Sequence, residues 1–248
     1  MSKFEQFAAL HVPGDPFVLF NVWDAGSALA VVRSGPKAIA TGSASVAMAN
    51  GFGDGQEVPI DFALGNAARI ASAVDVPVSV DFEGGYADTP DGIEANVRRL
   101  VETGAIGCNF EDQVVGSDRL YPEDEQAKRI SAVRRGSGPE FFINARTDLF
   151  LKAPAEAHDD AMVDDAIARA RAYAAAGASG FFVPMLGNLS LLERMCRESP
   201  VPVNFMTFPG CPSNAEVAAT GVARISHGPF PHMALMKQFE AMAREALN

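Results

Sequence analysis

The chain has 248 residues, of which 48% are hydrophobic and 21% charged, enough for one large domain with its own core. Its formal charge of −11 and pI near 4.8 leave no extended basic surface, which argues against a nucleic-acid partner. Three scattered cysteines, Cys108, Cys196 and Cys211, fit neither a disulfide framework nor a Cys-rich zinc site. The start of the chain, with Lys3 and Glu5, lacks the apolar run of a signal peptide, and no segment approaches membrane-spanning length. A cytoplasmic protein in a reducing compartment is the expectation.

Eight short β-rich runs follow in order: 17–22, 37–41, 77–82, 105–111, 140–146, 179–184, 200–206 and 222–227. Several are apolar at nearly every position, as in Phe141-Phe142-Ile143, which suits parallel strands covered on both faces. Amphipathic segments lie between them. In Pro90 to Thr103, Ile93, Val97, Leu100 and Val101 form one stripe, Thr89 is placed to cap, and Gly104 suits the C′ position. Asp159 to Ala176 repeats the design before Gly177, and Pro231 to Leu247 reads as a last helix. Strand-helix units of about 30 residues predict a (β/α)8 TIM barrel spanning 1–248, with a doubly wound open sheet as the alternative. The stretch Gly42 to Pro59 is too long and Gly-rich for an ordinary connection and is predicted to be an active-site loop.

In such a barrel the chemistry sits at the C-terminal ends of the strands. The third strand runs into Asp81-Phe82-Glu83-Gly84-Gly85-Tyr86, the fourth ends in Glu111-Asp112, and the loop after the second carries Asp54. Period-two geometry points Asp81 and Glu83 to the same side. If Asp54, Asp81, Glu83 and Glu111 converge, each pair roughly 5 Å apart repels by about 3 kcal/mol at an effective dielectric near 20. Either some protonate or a cation neutralises them, and the all-oxygen set suits Mg2+ or Mn2+ with retained waters. Solvated loop acids in an acidic protein account for the same spacing. Arg146, followed by Asp148, offers a fork for a carboxylate or phosphonate, or a salt bridge in the barrel mouth. Gly42-Ser43-Ala44 offers small residues and backbone amides to a second oxyanion.

Taken together, Phe20-Asn21-Val22-Trp23-Asp24-Ala25, Ile39 to Ala44, Gly51-Phe52-Gly53-Asp54, Val80 to Tyr86, Asn109-Phe110-Glu111-Asp112 and Phe142 to Asp148 resemble the phosphoenolpyruvate mutase/isocitrate lyase superfamily. The resemblance implies that Asp81 meets Mg2+ most directly, with Asp54, Glu83 and Glu111 acting mainly through metal-bound waters. It implies a catalytic set of Arg146, Ser43 and Asp81, substrate contacts from Gly42, Ser43, Ala44, Arg146 and Asn204, and stabilisation of a pyruvate enolate. Asn204 is equally explained as a loop cap. Trp23 joins the candidate contacts on the match of its motif, with barrel packing as the reading of its residue type.

Where the superfamily's isocitrate and methylisocitrate lyases carry Lys-Lys-Cys-Gly-His after the fourth strand, this chain has Gln113 to Pro122 without Cys, Lys or His. That argues against those two activities. The loop is also shorter than the gating loop of the mutase and phosphonopyruvate hydrolase branches. The remaining expectation is an Mg2+-dependent lyase of small 2-oxo or 2-hydroxy dicarboxylates, oxaloacetate decarboxylase-like. The alternatives are a phosphonomutase or phosphonopyruvate hydrolase, and a catalytically inactive metabolite-binding barrel. Cys211 and His227 are candidate acids, with packed, non-catalytic roles as the plainer reading; Arg119 and Tyr121 likewise stand as loop contacts or as a solvated Arg and a packed Tyr. Family members commonly exchange their last helix between subunits, and a homo-oligomer is expected, although the helix here ends close to Asn248.

Overall fold

The computed structural model describes all 248 residues. Eight parallel strands close in sequence order: β1 (Phe17–Val22), β2 (Ile39–Thr41), β3 (Val78–Asp81), β4 (Gly107–Glu111), β5 (Phe142–Arg146), β6 (Gly180–Phe182), β7 (Val203–Met206) and β8 (Arg224–Ser226). β8 pairs back onto β1 through Phe17 and Arg224, so no sheet edge remains and the open-sheet alternative is excluded. Each predicted run contains its strand.

Helices cover the outside: α1 (Lys3–Ala9), α2 (Ala25–Val32), α3 (Ser43–Ala49), α4 (Ile60–Ala73), α5 (Pro90–Glu102), α6 (Glu123–Ser137), α7 (Leu149–Lys152), α8 (Asp160–Ala175), α9 (Leu189–Glu198), α10 (Asn214–Ala219) and α11 (Phe230–Leu247). Their boundaries follow local chemistry. Thr89 accepts a bond from the Gly92 amide at 3.2 Å to open α5, and Gly104, at φ +88°, stands just past its end, where the left-handed backbone favours glycine. Asp159 opens α8 in the same way through the Met162 amide.

The 42–59 stretch differs from its expectation. Its first half is α3, two turns of helix that bring Gly42, Ser43 and Ala44 against the barrel mouth, so only about the last ten residues form a loop. Small, helix-permissive Ser-Ala-Ser-Val-Ala-Met-Ala hides this in a Gly-rich context.

The largest apolar cluster lies between strands and helices and includes Val80, Val97, Phe110, Ile130, Ile143, Val163, Phe181 and Phe205. A second closes the N-terminal end, where Phe7 of α1 packs with Phe17, Leu19 and Phe142. The barrel interior above that plug is polar. Arg224 on β8 donates to Asn109 Oδ1 on β4 at 3.1 Å, a bond between strands four apart that must cross the interior. Asn144 donates to Asn109 and to Asn204, at 2.9 and 3.1 Å. α11 departs from this arrangement: His232 is its one buried residue, while Leu235, Met236, Phe239 and Met242 are exposed. No helix is long and apolar enough to cross a membrane.

His11 is stacked on Phe142 with ring centroids 4.0 Å apart and bonded through Nδ1 to the Phe7 carbonyl oxygen at 2.9 Å. Burial, reinforced by the nearby Arg224 charge, lowers its pKa from 6.5 to about 3. It therefore stays neutral in the fold while the unfolded chain takes up a proton below pH 6.5, so its contribution is complete above that value and is lost as pH falls from 6.5 towards 3. Urea unfolding of the parent and His11→Phe between pH 7 and 4 should show a shallower loss of stability in the variant; parallel curves would contradict this.

Candidate active site

A cavity of about 190 Å3 opens at the C-terminal ends of the strands. One arc, from β1 to β5, is polar: Asn21, Gly42, Ser43, Asp54, Asp81, Asn109 and Arg146. The other, from the β5 loop round to β8, is largely apolar, with Leu151, Phe182, Pro184, Met185, Met206, Pro229 and Phe230. Ala44, Ser226 and Gly228 complete the ring.

Asp81 ends β3 and is fixed on three sides. Its Oδ2 accepts the Ser43 amide at 3.0 Å and the Ser43 hydroxyl at 2.9 Å, and its own amide donates to Thr41 Oγ1 at 2.9 Å. Oδ1 has only the longer contact from Asn109 Nδ2, at 3.3 Å, and is the less engaged oxygen. The Ser43 donors are thus spent on Asp81, which departs from the expectation that the Ser43 amide meets substrate. Gly42 and Ala44 line the cavity beside it.

The four predicted acids are neighbours without forming one ligand cluster: nowhere do three His, Cys, Asp or Glu side chains come close enough to grip an ion together. Asp54 and Asp81 line the cavity; Glu83 and Glu111 do not. The strand ends at Asp81, and Glu83 takes a left-handed φ of +50°, which breaks the period-two geometry. Its oxygens accept the Gln56 amide at 2.7 Å and the Tyr86 hydroxyl at 3.1 Å. Glu111 is buried against Arg146 at 2.9 Å.

Their electrostatics interact. Burial, then repulsion from Asp81 and Asp54, pushes Glu83 up to about 7. Burial and Asp81 raise Asp54 as well. Glu111 is pushed up by burial, which the Arg146 charge only partly offsets. Burial works against the Arg146 charge too, yet Asp148, Glu111 and Asp81 outweigh it and hold the guanidinium charged. Asp148 grips Arg146 in a fork, Nε to Oδ1 at 2.5 Å and Nη2 to Oδ2 at 3.0 Å.

Two further candidate contacts fall elsewhere. Asn204 is buried among the barrel asparagines outside the cavity lining, its Nδ2 donating to the Phe205 carbonyl and Ser226 Oγ and its Oδ1 accepting from Asn144. Trp23 packs edge-on against His232, outside the cavity lining, as its residue type implied. His227 is bonded to Thr207 at 2.9 Å and packed on Phe20, and Cys211 is likewise outside the lining. Tyr121 lies under the Arg129 guanidinium, 4.1 Å from its ring centre, and the 113–120 loop folds back on itself by a bridge between Gln113 and Leu120.

Sequence reasoning passed over two residues. Asn21 joins three strand ends, its Nδ2 donating to the Thr41 carbonyl at 2.9 Å and its Oδ1 accepting the His227 and Gly228 amides at 2.8 and 2.9 Å. Its alternation with buried Phe17 and Leu19 was the available signal. Asp112 is fully buried and takes the Asp148 amide, Arg169 Nη1 and the Tyr173 hydroxyl at 3.0, 3.1 and 2.9 Å, which anchors the chain carrying the Arg146 fork.

The molecule is thus a closed parallel (β/α)8 barrel with an acidic arc and one forked guanidinium at its C-terminal mouth. The family model for phosphoenolpyruvate phosphomutase matches residues 7–247, and the chain belongs to that family, within the phosphoenolpyruvate mutase/isocitrate lyase superfamily. A crystal structure of a Burkholderia cenocepacia J2315 protein, provisionally described as a phosphonomutase, is 46% identical, superposes with a TM-score of 0.95 and covers 98% of both chains. An uncharacterised Mycobacterium tuberculosis protein is 37% identical over 92% of this chain and 83% of its own. The 2-methylisocitrate lyase of Escherichia coli is 28% identical over 79% of this chain and 70% of its own, and the oxaloacetate decarboxylase of Ectopseudomonas mendocina 27% over 72% and 61%.

Replacing Asp112 with Ala leaves the Arg169 side of a buried pair short of its partner and frees the Asp148 amide. Urea unfolding should show a loss of roughly 3–5 kcal/mol, and a loss below about 1 kcal/mol would show that the anchor is dispensable.

Proposed function

We propose that the chain is a Mg2+-dependent carbon-carbon lyase of a small 2-oxo or 2-hydroxy dicarboxylate, with oxaloacetate decarboxylation through a pyruvate-type enolate as its simplest form. The observation that carries this reading is the imbalance of charge at the cavity: Asp54 and Asp81 line it and Glu83, Glu111 and Asp148 stand behind, while Arg146 is the one cation in the lining. A divalent cation relieves that imbalance. The donor set fits Mg2+, which commonly takes one or two carboxylates and keeps several waters. Asp81 Oδ1 is the direct ligand in this reading and Asp54, also in the lining, acts through water; Glu83 and Glu111, outside the lining, contribute through their charge, consistent with the lack of a three-acid cluster. Mn2+ satisfies the same oxygens.

When bound, the cation supplies positive charge to the oxygen on which negative charge develops, worth several kcal/mol. The protein's own part is placement. Arg146, pre-oriented by Asp148, has N–H groups to spare for a substrate carboxylate beyond its two hydrogen bonds to Asp148 and its ion pair with Glu111. The Gly42 amide is bonded to the Val22 carbonyl, which in this reading leaves the first-turn amide of Ala44 in α3 for the other acidic group. Ser43 keeps the Asp81 carboxylate aimed by donating twice to Oδ2.

The lining contains no Cys, His, Lys or Tyr to protonate a departing group. Decarboxylation needs none for bond breaking, because the leaving carboxylate departs as neutral CO2 and the enolate left behind takes its proton from solvent water to give pyruvate; the apolar arc favours that loss of charge over a hydrated carboxylate. The named relatives support the reading, one being an oxaloacetate decarboxylase.

The test is pyruvate release from oxaloacetate, methylisocitrate, dimethylmalate and phosphonopyruvate, with Mg2+ and with EDTA. Turnover of a dicarboxylate, abolished by EDTA and lowered at least about 100-fold in Asp81→Ala, a loss of about 2.7 kcal/mol, is the expected result. Turnover of phosphonopyruvate alone transfers the assignment to carbon-phosphorus chemistry. Oxalate binding with no turnover points to an inactive binding barrel.

We also propose a homo-oligomer formed through α11, whose exposed Leu235, Met236, Phe239 and Met242 form an apolar surface on a helix with one buried residue. Sedimentation should give an oligomer for the parent and a smaller species for the Phe239→Glu, Met242→Glu double variant; a monomeric parent would refute it.

A further inference from the structure

Beside the cavity lies a second chamber of about 280 Å3, bounded by the loops after β5, β6 and β7. Leu151 and Met185 line both spaces, so these two side chains form the partition between them. The second chamber has no Lys, Arg, Asp or Glu in its lining. Two of its side-chain polar atoms are committed elsewhere: His158 Nε2 is bonded to the Phe150 and Ala153 carbonyls, and Asn188 Oδ1 caps α9 through the Ser190 and Leu191 amides. What remains facing the space is mainly Phe150, Leu151, Met185 and Phe208.

Met185 stands at the partition with φ +69°, a left-handed backbone that is uncommon for a residue with a long side chain and is held only by surrounding structure. The other non-glycine residues with positive φ, Gln56, Glu83 and Tyr86, cluster at the acidic arc. Met is also the apolar side chain that best adjusts to a variable occupant. Phe208 is seated against Gly187, where an added Cβ would come within 2.8 Å of its ring, so the chamber wall depends on that glycine.

Resting on the reading of the cavity as a site for a 2-oxo or 2-hydroxy acid head, we infer that this chamber receives an uncharged aliphatic tail on the same substrate, a few carbons long. The head lies at the Asp81 and Arg146 arc, and the tail crosses between Leu151 and Met185. A phosphonate or further carboxylate in the tail position would leave water for a chamber with no cation to pair it. The substrate class becomes alkyl-substituted 2-oxo or 2-hydroxy acids.

The test is calorimetric binding of oxamate, N-ethyl-, N-butyl- and N-carboxymethyl-oxamate to the full chain with Mg2+, because these share one acid head and differ only in the tail. N-butyl-oxamate should bind on the order of tenfold tighter than N-ethyl-oxamate, from about fourfold per buried methylene, and the carboxymethyl compound more weakly than either. In Phe208→Asp, and separately in Leu151→Ala, the ratio of butyl to ethyl affinity should fall towards one. Oxamate binding with no gain along the alkyl series, or with the carboxymethyl compound tightest, overturns the tail chamber and leaves the acid-head reading standing. Failure of every oxamate and of oxalate to bind overturns that reading and the inference with it.

Discussion

The arrangement at the barrel mouth depends on one guanidinium held by two carboxylates. Arg146 is forked by Asp148 and paired with Glu111, and Asp148 is in turn anchored through its amide by Asp112, which is pinned by Arg169 and Tyr173. Such a chain is expensive to desolvate, and it offsets that cost only when each member has its partners. Its value lies in direction. A bidentate fork fixes the plane of the guanidinium, leaving its remaining N–H groups in a defined orientation at the cavity. The same network explains why Glu111, read from its position as a metal-facing acid, is instead turned to Arg146: the nearest full positive charge takes it.

Behind the site, the barrel interior holds asparagines and an arginine where layers of aliphatic side chains are the commoner filling. Asn109 accepts from both Arg224 and Asn144 through Oδ1, which leaves its Nδ2 free to face Asp81. Each amide has a defined orientation because its neighbour has one. Arg224 Nε and Nη1 have no protein partner, and burial lowers the guanidinium pKa to about 9. The positive charge beneath the acidic arc partly counters the repulsion between its carboxylates.

The strands were legible because parallel strands covered on both faces are continuously apolar, and α5 and α8 because their caps and stripes agree. The acids were legible as a set, since Asp81 and Glu111 end strands and Glu83 and Asp54 lie in the loops that follow, but their final placement was not: that depended on the left-handed turn at Glu83, which no alternation rule contains. Asn204 was misjudged because an inward-facing Asn in the middle of a barrel and one at its rim share the same alternation, and only the register, Asn204 beside Arg224 and Phe182, separates them. α3 was hidden by its Gly- and Ser-rich setting. The second chamber was not legible at all, because Leu151, Met185 and Phe208 come from three loops whose paths alone bring them together.

The two halves of the mouth differ in what they ask of a ligand. On the β1–β5 arc, acids and one cation demand a compact, charged partner, and each misplacement leaves a buried charge without compensation. On the β6–β8 arc, Phe182, Met185, Met206 and Phe230 demand only that water be displaced, a non-directional gain roughly proportional to area. In the proposed reading, chemistry belongs to the first arc and selectivity to the second. In this chain the strained Met185 sits on that side, where a change in shape costs the charge network nothing.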